Sequence, residues 1–136
     1  MSLDVGTKHI GIAVSDELGI TANGLETLKR SGIKKDFLKL KNIVSELNIE
    51  RIVVGIPYNT DGTISKSGES IKKFAIKLEK ELSLPVDYVN ETFTTIDAEK
   101  YLLEANMSRK KRKRVIDKLS AVIILQEYLE QKRQME

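Results

Sequence analysis

Ile52-Val53-Val54-Gly55-Ile56 is a run without a polar side chain, preceded by Arg51 and halted by Pro57. A strand that is apolar on both faces needs cover on both faces, so the chain has to build a sheet with a layer on either side. The flanking sequence supplies that cover. Phe37, Leu40, Val44 and Leu47 recur at helical spacing between about Lys34 and Leu47, and Ile71, Phe74, Leu78 and Leu82 do so after a polar loop containing Asp61-Gly62. Pro85 to Asn90 reads as a further strand. At 136 residues the chain is the size of one domain, 1–136, able to bury roughly two-thirds of its unfolded surface.

The N-terminal segment has the period of a hairpin. Leu3 and Val5 flank Asp4, Gly6-Thr7-Lys8 turns, and Ile10, Ile12 and Val14 alternate with Gly11 and Ala13. A third strand is expected over Ile20–Leu28. Thr94 and Asp97 open a helix with Ile96, Ala98, Leu102 and Leu103 inward and Asn106 as its stop. A last helix runs from the basic segment to about Gln131. The expectation is an α/β fold: a five-stranded mixed sheet, strands 1–3 antiparallel and strands 1, 4 and 5 parallel, with helices on both faces. Ligands of such sheets collect at the carboxyl ends of the parallel strands. Asp4, the loop after Pro57, and Asn90 with Glu91 all lie there.

Composition narrows the chemistry. With no Cys and a single His, a disulfide framework, a thiolate nucleophile and a zinc ribbon are excluded. No apolar stretch approaches the about 20 residues that span a bilayer, and the segment from Met1 lacks the basic-then-apolar order of a signal peptide, so a cytoplasmic protein without membrane contact is expected. The net charge of +3 hides an asymmetry. Six of the 23 basic residues form one run, Arg109-Lys110-Lys111-Arg112-Lys113-Arg114, and the remaining 17 face 20 acidic residues. That run opens a helix, where dipole and mutual repulsion both disfavour positive charge, so it reads as a patch for a polyanion such as nucleic acid. A solvated helix face is the alternative. Nothing in the chain resembles a base-reading motif, so backbone and shape would be recognised.

Three carboxylates stand out. Asp4 interrupts an apolar strand, where it either pairs, binds a metal or caps the Gly6-Thr7 turn. Glu91 follows the fifth strand. Asp117 has Ala121 and Ile124 four and seven residues on, which puts it on a protein-facing stripe, unless it pairs with Arg114 or Lys113. Carboxylates without His or Cys select a hard cation, Mg²⁺ or Mn²⁺, and two such ions about 4 Å apart can clamp a phosphodiester.

Leu3-Asp4-Val5-Gly6-Thr7-Lys8-His9-Ile10-Gly11-Ile12-Ala13, Val53-Val54-Gly55-Ile56-Pro57 with Asp61-Gly62, Glu91 with Thr94 or Thr95, and Arg109 to Leu125 together resemble the YqgF family. Its members are described as Holliday junction resolvases and as nucleases that mature the small-subunit ribosomal RNA precursor. The resemblance implies a ribonuclease H-like fold and a metal-dependent phosphodiester hydrolase. It implies that Asp4, Glu91 and Asp117 are catalytic and hold one or two Mg²⁺ or Mn²⁺ ions, with Asp117 opening the stretch Asp117-Lys118-Leu119-Ser120-Ala121. Where the family usually has Asp-Glu-Arg, this chain has Asn90-Glu91-Thr92.

On this reading Lys8 and Arg114 stabilise developing phosphate charge, and Arg109, Lys110, Lys111, Arg112, Lys113 and Arg114 hold the nucleic acid. The substrate is a structured RNA precursor, cut at the 5′ end of pre-16S rRNA with ribosomal components nearby, or branched DNA. Junction resolution requires a homodimer, whereas RNA trimming needs only a monomer. Two competitors stand beside it. Asp4-Val5-Gly6-Thr7 also resembles the phosphate loop of actin-like ATPases and sugar kinases, which use two such domains where this chain has length for one. A non-catalytic nucleic-acid-binding module would use the basic run alone.

Overall fold

The computed structural model describes residues 1–91 and 109–135, with the backbone alone for 109–118 and 135. Its strands are β1 (Ser2–Val5), β2 (His9–Ser15), β3 (Ala22–Gly24), β4 (Leu28–Lys29), β5 (Ile52–Ile56) and β6 (Val86–Asn90). Three helices are described: α1 (Ile33–Glu46), α2 (Lys66–Leu82) and α3 (Arg109–Met135). The sheet order is β3-β2-β1-β5-β6, with β4 also on β2. β1 to β4 are antiparallel neighbours, and β1, β5 and β6 run parallel, as the sequence pattern requires. The expected helix over Thr94–Asn106 lies outside the described residues.

The sheet has six strands rather than five because the expected strand Ile20–Leu28 is two. β3 pairs Ala13 with Gly24, and β4 pairs Ile10 with Leu28. Three steps along β2 therefore oppose four along its partner, and the extra residue makes a bulge that breaks the ladder. Leu25 keeps one bond across it, its N–H donating to the Ile12 carbonyl at 2.8 Å.

Alternation along the strands divides the core into two layers. Leu3, Ile10, Ile12, Ile52, Val54 and Ile56 pack with Leu40 of α1 and Ile71, Phe74, Ala75 and Leu78 of α2. On the opposite face Ala13 meets Ala121 and Leu125 of α3, and Val53 and Val89 meet Ile124. α2 begins at Lys66, one turn before its apolar stripe, because Ser65 caps it: the Ser65 hydroxyl accepts from the Gly68 N–H at 3.0 Å. α3 continues beyond Gln131 to Met135.

Polar ties fix how α3 lies on the sheet. The buried Ser2 hydroxyl donates to the Ala121 carbonyl at 2.6 Å. Farther along, the Tyr128 hydroxyl donates to Asp87 Oδ2 at 2.6 Å, and Arg51 Nη1 reaches the same oxygen at 2.9 Å. Burial first, and then this bond to Asp87, push the Tyr128 hydroxyl up to about 12.

Candidate active site

The parallel register brings the site residues side by side. Ser2 and Leu3 of β1 lie opposite Val53 and Val54 of β5, so the next residues in register are Asp4 and Gly55. Gly55 is in turn opposite Val89, and Ile56 opposite Asn90. The chain leaves β6 with the Glu91 N–H donating to the Ile56 carbonyl at 3.0 Å. Asp4 alternates with Leu3 and Val5, which serve the α1–α2 layer, and so belongs to the face that α3 covers.

Glu91 is 8% exposed, and its carboxyl shares a hydrogen bond with Asp4. Burial, reinforced by the Asp4 charge and by that hydrogen bond, pushes Glu91 up to about 9. Its Oε2 is buried without a hydrogen-bond partner among the described residues. Two adjacent carboxyls, one carrying an unsatisfied oxygen, are costly unless a proton or a cation lies between them.

Gly55 makes room for this carboxyl. A Cβ there would lie 2.7 Å from Glu91 Oε2 and 2.6 Å from Ile124 Cδ1. A glycine inside a buried strand often marks such a close approach, the one sequence signal that could have singled out Gly55. Gly55→Ala is expected to cost about 1–3 kcal/mol of stability through overpacking, read as a lowered urea midpoint with an unchanged slope. An unchanged midpoint would mean that Glu91 is not seated against this strand.

α3, whose backbone carries the third predicted residue, covers this same face of the sheet. Asp117 is one turn before Ala121, whose carbonyl is fixed to Ser2, two residues from Asp4. The side chains of Asp117 and of Arg109, Lys110, Lys111, Arg112, Lys113 and Arg114 lie outside the described residues, although the backbone there is helical. Among the described residues no group of three or more His, Asp or Glu side chains is assembled for a metal. Lys8 stands exposed in the turn after β1, with no ion pair among the described residues.

The loop after Pro57, expected at this end of the sheet, holds itself together. Tyr58 and Ile64 form a bridge, the Asn59 N–H donates to the Thr63 carbonyl at 2.7 Å, and the Thr63 hydroxyl donates to Asp61 Oδ1 at 2.6 Å. A cavity of about 430 Å³ lies at the opposite end, lined by Met1, Asp16, Ile49, Arg51, Leu125 and Tyr128 among others. It contains neither of the paired carboxyls, so the site chemistry is not there. No helix among the described residues is long and apolar enough to cross a membrane.

Solved structures of RuvC from Thermus thermophilus share the fold. One, in complex with a Holliday junction substrate, has a TM-score of 0.58 at 14% identity over 97% of this chain and 93% of its own. Another has a TM-score of 0.55 at 13% identity over 97% and 94%. The fold is therefore the ribonuclease H-like one that the sequence resemblance implied. Among curated relatives, one from Desulforamulus reducens is 48% identical over 96% of this chain and 95% of its own length. Another, from Clostridioides difficile, is 50% identical over 96% and 92%. Both carry the name "Putative pre-16S rRNA nuclease". The sequence model of the RuvX family, described as Holliday junction resolvase, matches residues 1–131, and the chain belongs to this family.

Proposed function

We propose that the protein is a nuclease that hydrolyses phosphodiester bonds of structured nucleic acid, and that its substrate is the 5′ end of pre-16S rRNA during ribosome biogenesis. The observation that carries this reading is the Asp4–Glu91 carboxyl pair at the carboxyl end of the parallel strands, Glu91 buried and Asp4 half-buried, with one Glu91 oxygen lacking a partner among the described residues. The names of the curated relatives support the RNA substrate. The family description favours a second reading, a Holliday junction resolvase acting on branched DNA. Residues 1–136 act as a single domain in the cytoplasm, a monomer if RNA is trimmed beside ribosomal components and a homodimer if junctions are resolved.

The pair fits a hard divalent cation. Glu91 Oε2 is an oxygen donor in need of a positive partner, Asp4 adds a second carboxylate, and no Cys or additional His competes to select zinc. Asp4 and Glu91, with Asp117 from α3, would hold one or two Mg²⁺ or Mn²⁺ ions, which supply activation of water and stabilisation of the charge that develops on the phosphate. The protein's own contributions are positional. β1 and β6 hold Asp4 and Glu91 against each other, Gly55 leaves space for the Glu91 carboxyl, and the fully buried Ile124, packed on Val53 and Val89, covers Gly55 beside it. Lys8 and the run from Arg109 to Arg114 grip the phosphate backbone.

The test is cleavage of two labelled substrates, a precursor-like structured RNA and a four-way DNA junction, in Mg²⁺, Mn²⁺ or EDTA. Metal-dependent RNA cleavage is the expected result. Symmetric cuts in the junction alone would establish the resolvase, and binding without cleavage of either would leave a nucleic-acid-binding module. In the same binding assay, replacing Arg112, Lys113 and Arg114 by Ala together is expected to lower the salt-dependence slope by about 0.7–0.9 for each phosphate that is no longer neutralised. An unchanged slope would remove the basic run from the interface.

A further inference from the structure

The turn Gly6-Thr7-Lys8 continues the strand that carries Asp4, and a residue far off in sequence holds it at both ends. The Arg30 backbone N–H donates to the Lys8 carbonyl at 2.9 Å, and Arg30 Nη1 donates to the Gly6 carbonyl at 2.9 Å. The guanidinium is itself fixed. Its Nε meets Asp36 Oδ2 at 3.3 Å, and Asp36, fully buried, also accepts the Ser31 N–H at 2.9 Å. The same guanidinium lies over the Phe74 ring, 5.1 Å from its centroid, and Phe74 packs edge-on against Phe37. The turn has no slack to drift from this grip: the Gly6 N–H donates to the His9 carbonyl at 2.9 Å, and a Cβ on Gly6 would come within 2.8 Å of that oxygen.

Asp36 is buried and Arg30 only half-buried, and such a pair is a poor device for stability alone, since the desolvation of the carboxylate offsets much of the attraction. What the pair supplies here is direction. The planar fork of an arginine bonds Asp36 and the Gly6 carbonyl through two nitrogens at a fixed spacing, a geometry that the rotatable donors of a lysine ammonium do not impose. The group so held carries Lys8, an exposed cation with no ion pair among the described residues.

We propose that Arg30 is a positioning residue for nucleic-acid binding: backed by Asp36, it locks the β1–β2 turn so that Lys8 is presented beside Asp4 to a backbone phosphate. The proposal rests on the nuclease reading and sharpens it, because it assigns to residues of the α1–α2 side a role in a site built on the other face.

A double-mutant cycle on binding tests it, with a labelled hairpin RNA in EDTA and affinity measured against salt for wild type, Lys8→Ala, Arg30→Lys and the double variant. Arg30→Lys keeps the charge opposite Asp36, and Arg30→Gln serves as a neutral second version. Lys8→Ala and Arg30→Lys should each lower the slope by about 0.7–0.9, and the double variant should lower it no further than either alone. A slope unmoved by Arg30→Lys would make the pair merely structural, and an additive fall would make Arg30 a phosphate contact itself. Either result overturns the proposal while wild-type cleavage leaves the nuclease reading intact. Wild-type protein that binds no nucleic acid overturns both. If neither Arg30 variant folds, hydrogen exchange on the wild-type protein decides: the Gly6 and Arg30 amides should exchange as slowly as those of β1, and exchange at open-loop rates overturns the clamp.

Discussion

Asp4→Asn protein is expected to bind structured RNA as wild type does and to cleave it at least about 10³-fold more slowly, a loss of about 4 kcal/mol in transition-state stabilisation. The substitution preserves the volume of the side chain and its capacity to bond Glu91, so the fold should be retained. What disappears is the negative charge. Glu91 is held largely protonated at neutral pH by burial, by the Asp4 charge and by the bond to Asp4. With Asp4 neutral, the charge that helps raise Glu91 is gone while its burial still raises it, and the site can offer a cation only one carboxylate in place of two. Binding is expected to survive because Lys8 and the basic run are untouched. Single-turnover cleavage in Mn²⁺, beside a filter-binding titration, separates the two effects. Full metal-dependent cleavage by Asp4→Asn would place the chemistry elsewhere in the chain.

The parts of this site that were legible in the sequence were those encoded locally. Asp4 broke the apolar alternation of its own strand, and Glu91 followed a strand bounded by Pro85 and Asn90. The layers were legible for the same reason, since Leu40, Ile71, Phe74 and Leu78 repeat at helical period and are buried. Features set by partners were not. The bulge between β3 and β4 exists only relative to the register of β2, so a single segment carries no sign of it. Asp36 reads as an ordinary acid in the first turn of α1, favoured there by the helix dipole, and its complete burial against Arg30 follows only from the packing of α1 over Phe74. Gly55 likewise gains its meaning from Glu91 and Ile124, 36 and 69 residues farther along.

Between pH 5 and 9 the metal-free protein is expected to lose stability relative to its Glu91→Gln variant, and Mn²⁺ is expected to offset part of that loss. The folded-state carboxyl of Glu91 titrates at about 9 against an ordinary value of 4.5, so between these values the folded protein retains a proton that the unfolded chain has released. Linkage then gives a negative slope. The contribution is fully present below about 4.5, declines by at most about 1.4 kcal/mol per pH unit, and is gone above about 9. Comparison with Glu91→Gln is necessary because the Met1 amine, lowered to about 6 by burial, contributes the opposite slope between about 6 and 8 and is common to both proteins. A divalent cation engages the ionised carboxyl, so its stabilisation of wild type should grow with pH, reaching about 2.7 kcal/mol at a hundredfold excess over Kd. Urea denaturation at each pH, in EDTA and in Mn²⁺, measures both effects. Parallel pH profiles for the two proteins would show that Glu91 is ionised in the folded state, and a Mn²⁺ response shared by Glu91→Gln would show that the cation is held without it.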